Sequence, residues 1–148
     1  MFFGRFDHTI DAKGRISIPA QFRDLLLGDS RLVVAPYNVY KLHCLDVYPQ
    51  TEWQKLLDRF AAVPRFSKNA TTFEMGYLAR SHRCEIDAAG RILLPPVLRQ
   101  FAGLKKDVVF LGIHERFRLM DQENWVKVES AHDAEAAENP AMYEELGI

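Results

Sequence analysis

The sequence predicts an α+β fold in which two copies of one β-β-α-β-β-α unit form a single pseudo-symmetric body. Their strands are expected to interleave into a closed or nearly closed β-structure. Three observations predict this. The stretch IDAKGRISIP at 10–19 returns almost unchanged as IDAAGRILLP at 86–95. Around each stretch, apolar residues alternate with period two and then switch to helical spacing. Each half of this 148-residue chain is also too short to bury a core by itself.

Laying residue n over residue n+76 places Ile10–Ile16 on Ile86–Ile92, Ile18–Pro19 on Leu94–Pro95, and Arg23 on Arg99. The run Leu32–Val34 falls on Val108–Phe110. After a four-residue gap the offset becomes 72, which sets Val47–Tyr48 on Leu119–Met120 and Trp53 on Trp125. With only two copies and so long a period, this is an internal duplication and not a solenoid.

Within the first copy, Phe6, His8 and Ile10 alternate with Asp7 and Thr9, the pattern of a half-buried strand. Asp11 and Gly14 bracket a tight turn, since an Asp carboxylate accepts nearby backbone N–H groups and Gly tolerates positive φ. Ile16 and Ile18 resume the alternation. Pro19 opens a short helix whose apolar face is Phe22, Leu25 and Leu26, and Gly28 stops it. RLVVAPYN and KLHCLDVY read as two further strands. TEWQKLLDRF reads as a helix capped by Thr51, with Trp53, Leu56, Leu57 and Phe60 on one face. After the break at Pro64, SKNATTFEMGYLAR is expected to form a connecting helix before the second copy runs the same course. The divisions are therefore 1–60 for the first repeat, 61–80 for the connection, 81–128 for the second repeat, and 129–148 for an acidic C-terminal tail.

Hydrophobic residues make up 48% and charged residues 26%, as in ordinary globular domains. No apolar run reaches membrane-spanning length. Asp7 and His8 interrupt the opening MFFGRFDHTI where a signal peptide would stay apolar, so a cytoplasmic location is expected. Cys44 and Cys84 lie far apart with no CxxC, which signals neither a disulfide framework nor a structural zinc site. The net charge of −1 divides into −6 for residues 129–148 and +5 for the remainder. A mildly basic body is compatible with nucleic acid but does not specify it.

The repeated turn is the main candidate site. In one reading Lys13 and Arg15 project from it into a nucleic-acid groove, where Arg pairs bidentately with guanine and Lys holds a phosphate. In the other, Asp11 pairs with Arg15, or Arg15 and Arg23 clamp the turn against the helix. Asp, Gly, Arg and Pro recur in both copies, whereas Lys13 is replaced by Ala89. The scaffold does not need that lysine. Other constellations are weak. His43–Cys44 and His82-x-Cys84 lack the spacing of a zinc site, and Trp53 and Trp125 read as core anchors. The chain contains no GxSxG, P-loop, HExxH or Rossmann glycine pattern. No catalytic residue, metal or cofactor is expected.

DAKGRISIPAQFR and DAAGRILLPPVLR resemble the recognition segments of SpoVT/AbrB-type transcription factors. Two such copies, opening with MFFGRFDHTIDAKGR, resemble the MraZ family over nearly the whole chain. This resemblance implies a double, swapped-hairpin-like β-barrel, binding to double-stranded DNA, and ring-shaped homo-oligomers in the nucleoid. It also implies, as target, short direct repeats in the promoter of the protein's own division and cell-wall gene cluster, with repression as the outcome. The family's DxKGR signature maps onto Asp11, Lys13, Gly14 and Arg15, and an AbrB-type helix arginine maps onto Arg23. Lys13, Arg15 and Arg23 are the expected DNA contacts, with Asp11 and Gly14 supporting the turn. Arg91 and Arg99 are secondary candidates, because Ala89 departs from the signature. Two rival readings are an antitoxin-like AbrB module with a protein partner, and an enzyme using Asp11, His8 or His43. Duplication and length weigh against the first, and the missing nucleophile–base–orienter spacing weighs against the second.

Overall fold

The computed structural model describes residues 1–148. The first copy comprises β1 (Arg5–Thr9), β2 (Arg15–Ser17), α1 (Ala20–Leu25), β3 (Arg31–Val39), β4 (Leu42–Pro49) and α2 (Gln50–Ala61). A connecting helix α3 (Lys68–Gly76), capped by the Ser67 side chain, and a 3-10 turn at Leu78–Arg80 follow. The second copy repeats the order with β5 (His82–Glu85), β6 (Arg91–Leu93), α4 (Pro96–Ala102), β7 (Asp107–Ile113), β8 (Arg116–Asp121) and α5 (Gln122–Glu138).

The copies interleave strand by strand. β1 pairs with β7 of the other copy, from Arg5↔Leu111 to Thr9↔Asp107, and β5 pairs with β3, from Arg31↔Glu85 to Val34↔His82. Between these, β4 and β8 meet antiparallel with Asp46 opposite Arg118, positions that the 72-residue offset makes equivalent. β2 and β6 meet in the same way, with Ile16 opposite Ile92. Both pairings are thus symmetric about one pseudo-two-fold.

The expected pseudo-symmetric, swapped-hairpin β-barrel is not formed. The large sheet is open, in the order β1-β7-β8-β4-β3-β5, and β2 and β6 form a separate two-stranded sheet. The turns after β1 and β5 are responsible. They lead the chain out of each edge strand onto the core side, where three-residue strands pair with one another and neither extends the ladder of the sheet. The free edges of β1 and β5 are left unjoined.

Strand alternation assigns the core. Leu32, Val34, Leu45, Val47, Val108, Phe110, Phe117 and Leu119 pack with Ile16, Ile18, Ile92 and Leu94 of the ribbon and with Phe22 and Leu98 of α1 and α4. The intervening residues face the other way. Val33, Ala35 and Tyr48 pack under Trp53 of α2, and Cys44, Val109 and Met120 pack under Val128 of α5, with Trp125 beside them. The order is therefore helix layer, sheet, then ribbon with two short helices, which gives each sheet face an apolar partner.

One local expectation shifts. Thr51 does not cap α2, because Pro49 occupies the N-cap with φ −56° and sets the helix entry, leaving Thr51 inside the helix. In the second copy Asp121 stands at that place and does cap, its carboxylate accepting from Glu123 N–H. α5 runs on through the first acidic residues to Glu138, and Tyr40 donates to Glu135 at 2.6 Å.

Both cysteines are free and buried, and burial pushes the Cys44 thiol up to about 12 and that of Cys84 to about 11. In native protein at pH 8 they are expected to react with a disulfide reagent at least ~100-fold more slowly than in the guanidinium-unfolded chain. Equal rates in the two states would contradict this packing.

Candidate nucleic-acid interface

The turn after β1 is built by its aspartate. Asp11 Oδ1 accepts from the backbone N–H of Lys13 at 3.0 Å and of Arg15 at 2.8 Å, while Oδ2 accepts from Arg15 Nε at 2.7 Å. Led by the Arg15 backbone hydrogen bond, these contacts hold the exposed Asp11 carboxyl below its ordinary value. Gly14 closes the turn at φ +88°. The second turn repeats the pattern, with Asp87 accepting from Ala89 and Arg91 N–H groups and Gly90 at φ +79°. Its ion pair is looser, as Arg91 Nε lies 3.4 Å from Asp87 Oδ2 without hydrogen-bond geometry.

The ribbon then brings the copies together. Pleating places residues of alternate parity on opposite faces, so Ile16 and Ile92 enter the core while Arg15, Ser17, Arg91 and Leu93 share the outer face. On that face Arg15 stands opposite Leu93, and Ser17 opposite Arg91. Lys13, exposed, sits at the tip beyond Arg15. Asp11 engages only the Nε of Arg15, which leaves the terminal Nη1/Nη2 edge of the guanidinium without a protein partner. The pairing and groove readings of Arg15 are therefore compatible, because the carboxylate orients the fork it does not consume.

The helix arginines cross over between copies. Arg99 of α4 covers Gly14 so closely that a Cβ there would lie 2.7 Å from its Cζ, and Arg23 of α1 would likewise be struck by a Cβ on Gly90. Each turn is held to the segment that leads into the opposite helix, Leu94 N–H donating to Gly14 O and Ile18 N–H donating to Gly90 O, each 2.9 Å. Lys13 and Arg15 are thus neighbours of Arg99, and Arg23 belongs with Arg91. The family resemblance groups Arg23 with Lys13 and Arg15.

His43 stacks on Phe101 with ring centroids 4.2 Å apart and its Nδ1 3.0 Å from Phe101 O, on the strand face opposite buried Cys44. No three His, Cys, Asp or Glu side chains are gathered in metal-binding geometry. No helix is long and apolar enough to cross a membrane.

Sequence reasoning missed a buried charge cluster on the helix-facing side of the sheet. Asp46, with no exposed surface, accepts from Arg118 Nε at 2.6 Å and Nη2 at 3.1 Å, and from Arg116 Nε at 3.0 Å. Arg118 also lies over the Tyr37 ring, 4.6 Å from its centroid. The signal was present, since the 72-residue offset sets an acid against a base inside two apolar strands.

A family model described as "MraZ protein, putative antitoxin-like" matches the chain twice, over residues 1–76 and 77–143. A "Transcriptional regulator MraZ" of Halothermothrix orenii is 39% identical over 148 residues, covering all of both chains. That of Thermoanaerobacter pseudethanolicus is 37% identical, again over the whole of both. The Carboxydothermus hydrogenoformans protein of the same name is 41% identical over 125 residues, 84% of each chain. These relatives bear the name of a regulator and not of an enzyme. With two matches to the family model spanning residues 1–143 and whole-length relatives at this identity, the chain belongs to the MraZ family.

Proposed function

We propose that this protein is a non-enzymatic transcriptional regulator that binds double-stranded DNA through the outer face of the β2–β6 ribbon. The observation that carries this is the orientation of Arg15 by Asp11 on that face, with Lys13 at the tip and Arg91 on the same surface. A two-stranded ribbon fits the B-DNA major groove, and an arginine whose terminal edge is free suits guanine O6 and N7. Lys13 and Arg15 are assigned the principal contacts, with Arg23 added on the family pattern although it lies beside the second turn, and with Asp11 and Gly14 as turn support. Arg91 and Arg99 are given a secondary part.

The finer reading rests on the family. The expected operator is a set of short direct repeats upstream of the protein's own division and cell-wall gene cluster, repressed by a ring-shaped homo-oligomer. Footprinting of the full chain on that upstream region tests it. Protection of regularly spaced short repeats is the expected result, whereas uniform weak protection that vanishes by 200 mM salt would overturn sequence-specific regulation. The family description also admits an antitoxin-like role. A chain that protects no DNA and co-purifies in fixed ratio with a second protein would favour that role instead.

A further inference from the structure

The outer face of the ribbon holds one residue that charge cannot explain. Leu93 is 60% exposed on an otherwise polar face, directly opposite Arg15 and two residues along the strand from Arg91. Its equivalent in the first copy is Ser17. The four outward side chains thus form a crossed set, with arginines on one diagonal and a leucine and a serine on the other. Each arginine repeats under the pseudo-two-fold. Leucine and serine do not, nor do Lys13 and Ala89 at the tips.

The major groove presents one apolar group at its floor, the C5-methyl of thymine. Directly opposed residues of an antiparallel pair lie about 5 Å apart at Cβ, comparable with the ~3.4 Å rise between successive base pairs. A ribbon that sets Arg15 on a guanine therefore carries Leu93 to an adjoining base pair. Resting on the DNA-binding reading above, we propose that Leu93 reads a thymine methyl beside the guanine taken by Arg15. The polar Ser17 at the mirrored place makes no such contact. The leucine then distinguishes the two directions in which a pseudo-symmetric ribbon can lie on DNA, so each repeat is read in one orientation.

The test uses the full-length protein and its footprinted operator, with single thymines replaced by deoxyuridine, which removes only the methyl. The parent should lose about fourfold in affinity at one thymine, the worth of one buried methyl, and be indifferent to the others. Leu93→Ser, which installs the residue of the first copy, should lose a similar factor on the unmodified operator and show no further loss with uracil. If no thymine position is sensitive in the parent, or if Leu93→Ser keeps the sensitivity, this assignment is overturned while the DNA-binding reading stands. If Leu93→Ser alters the particle size on gel filtration and leaves thymine sensitivity unchanged, the leucine covers a protein contact and the proposal fails. If the parent binds no DNA at all, the functional reading itself fails.

Discussion

Replacing Asp46 with alanine is expected to lower the free energy of unfolding by about 3–5 kcal/mol, a large fraction of the stability of a domain this size. The change removes the shared acceptor of Arg116 and Arg118 and leaves two guanidinium groups facing one another between the sheet and its helices. Burial disfavours the charged form of Arg118, and the Asp46 hydrogen bond and charge outweigh it in the native protein. Without them, the buried cation keeps the Tyr37 ring beside it but has no anionic acceptor. Urea unfolding followed by circular dichroism measures the loss. A second variant, Asp46→Leu with Arg118→Met, removes both halves of the central pair and leaves Arg116 its Glu115 partner, so it should return to within about 2 kcal/mol of the parent. An Asp46→Ala protein within about 1 kcal/mol of the parent would show that the cluster is incidental to stability.

The location of this cluster explains why the two halves cannot be identical. Asp46 and Arg118 are equivalent positions that meet across the pseudo-two-fold. A chain repeating itself faithfully would set two aspartates or two arginines face to face in a buried strand pair, where like charges repel. Divergence at this one position turns a repulsion into a charge-assisted pair. On the ribbon the meeting residues are Ile16 and Ile92, which are apolar, so the symmetry is tolerated there. The turns are a third case. Ala89 has no counterpart to the lysine of Lys13, yet Asp87 still orders its backbone as Asp11 does.

What the sequence made legible was local. The alternation of Phe6, His8 and Ile10, the Asp–Gly turns and the proline-opened helices all follow from φ preference and side-chain period, which depend on neighbours along the chain. The order of strands within each copy follows in the same way. Sheet closure depends on where an edge strand goes after its turn, and nothing in IDAKGR distinguishes continuing the ladder from crossing onto the core face. The exchange of Arg23 and Arg99 between copies was hidden for a related reason. An arginine one turn into a helix looks ready to guard its own preceding turn, and only the swapped pairing of β2 with β6 carries it to the other. Thr51 misled because a capping residue is recognised by type, whereas Pro49 two residues earlier already fixed the helix entry.

Replacing Arg15 with alanine should remove operator recognition while leaving the fold intact. The arginine pairs with Asp11 at 2.7 Å, but both side chains are more than a third exposed, where solvent screens the pair and little stability rests on it. The thermal midpoint should therefore move by only a few degrees. Loss of a bidentate guanine contact costs about 1–3 kcal/mol at each site, and an oligomer engaging several repeats multiplies the effect through avidity. Arg15→Lys separates charge from geometry. It preserves one positive charge on the ribbon but cannot form the planar fork, so it should keep the salt slope and lose discrimination between operator and random DNA. Lys13→Ala should do the reverse, weakening both DNAs alike and lowering the logarithmic salt slope by about one unit per engaged turn. Placing the lysine on the other turn, Lys13→Ala with Ala89→Lys, tests whether the tips are interchangeable. Recovery of parental affinity and slope would mean that both ends of the ribbon face DNA equivalently, and failure to recover would assign the phosphate contact to the first turn. Titrations at several salt concentrations, beside thermal unfolding of the same samples, separate these outcomes. An Arg15→Ala protein that unfolds would show that the arginine clamps its turn, and one that stays folded and binds like the parent would remove it from the interface.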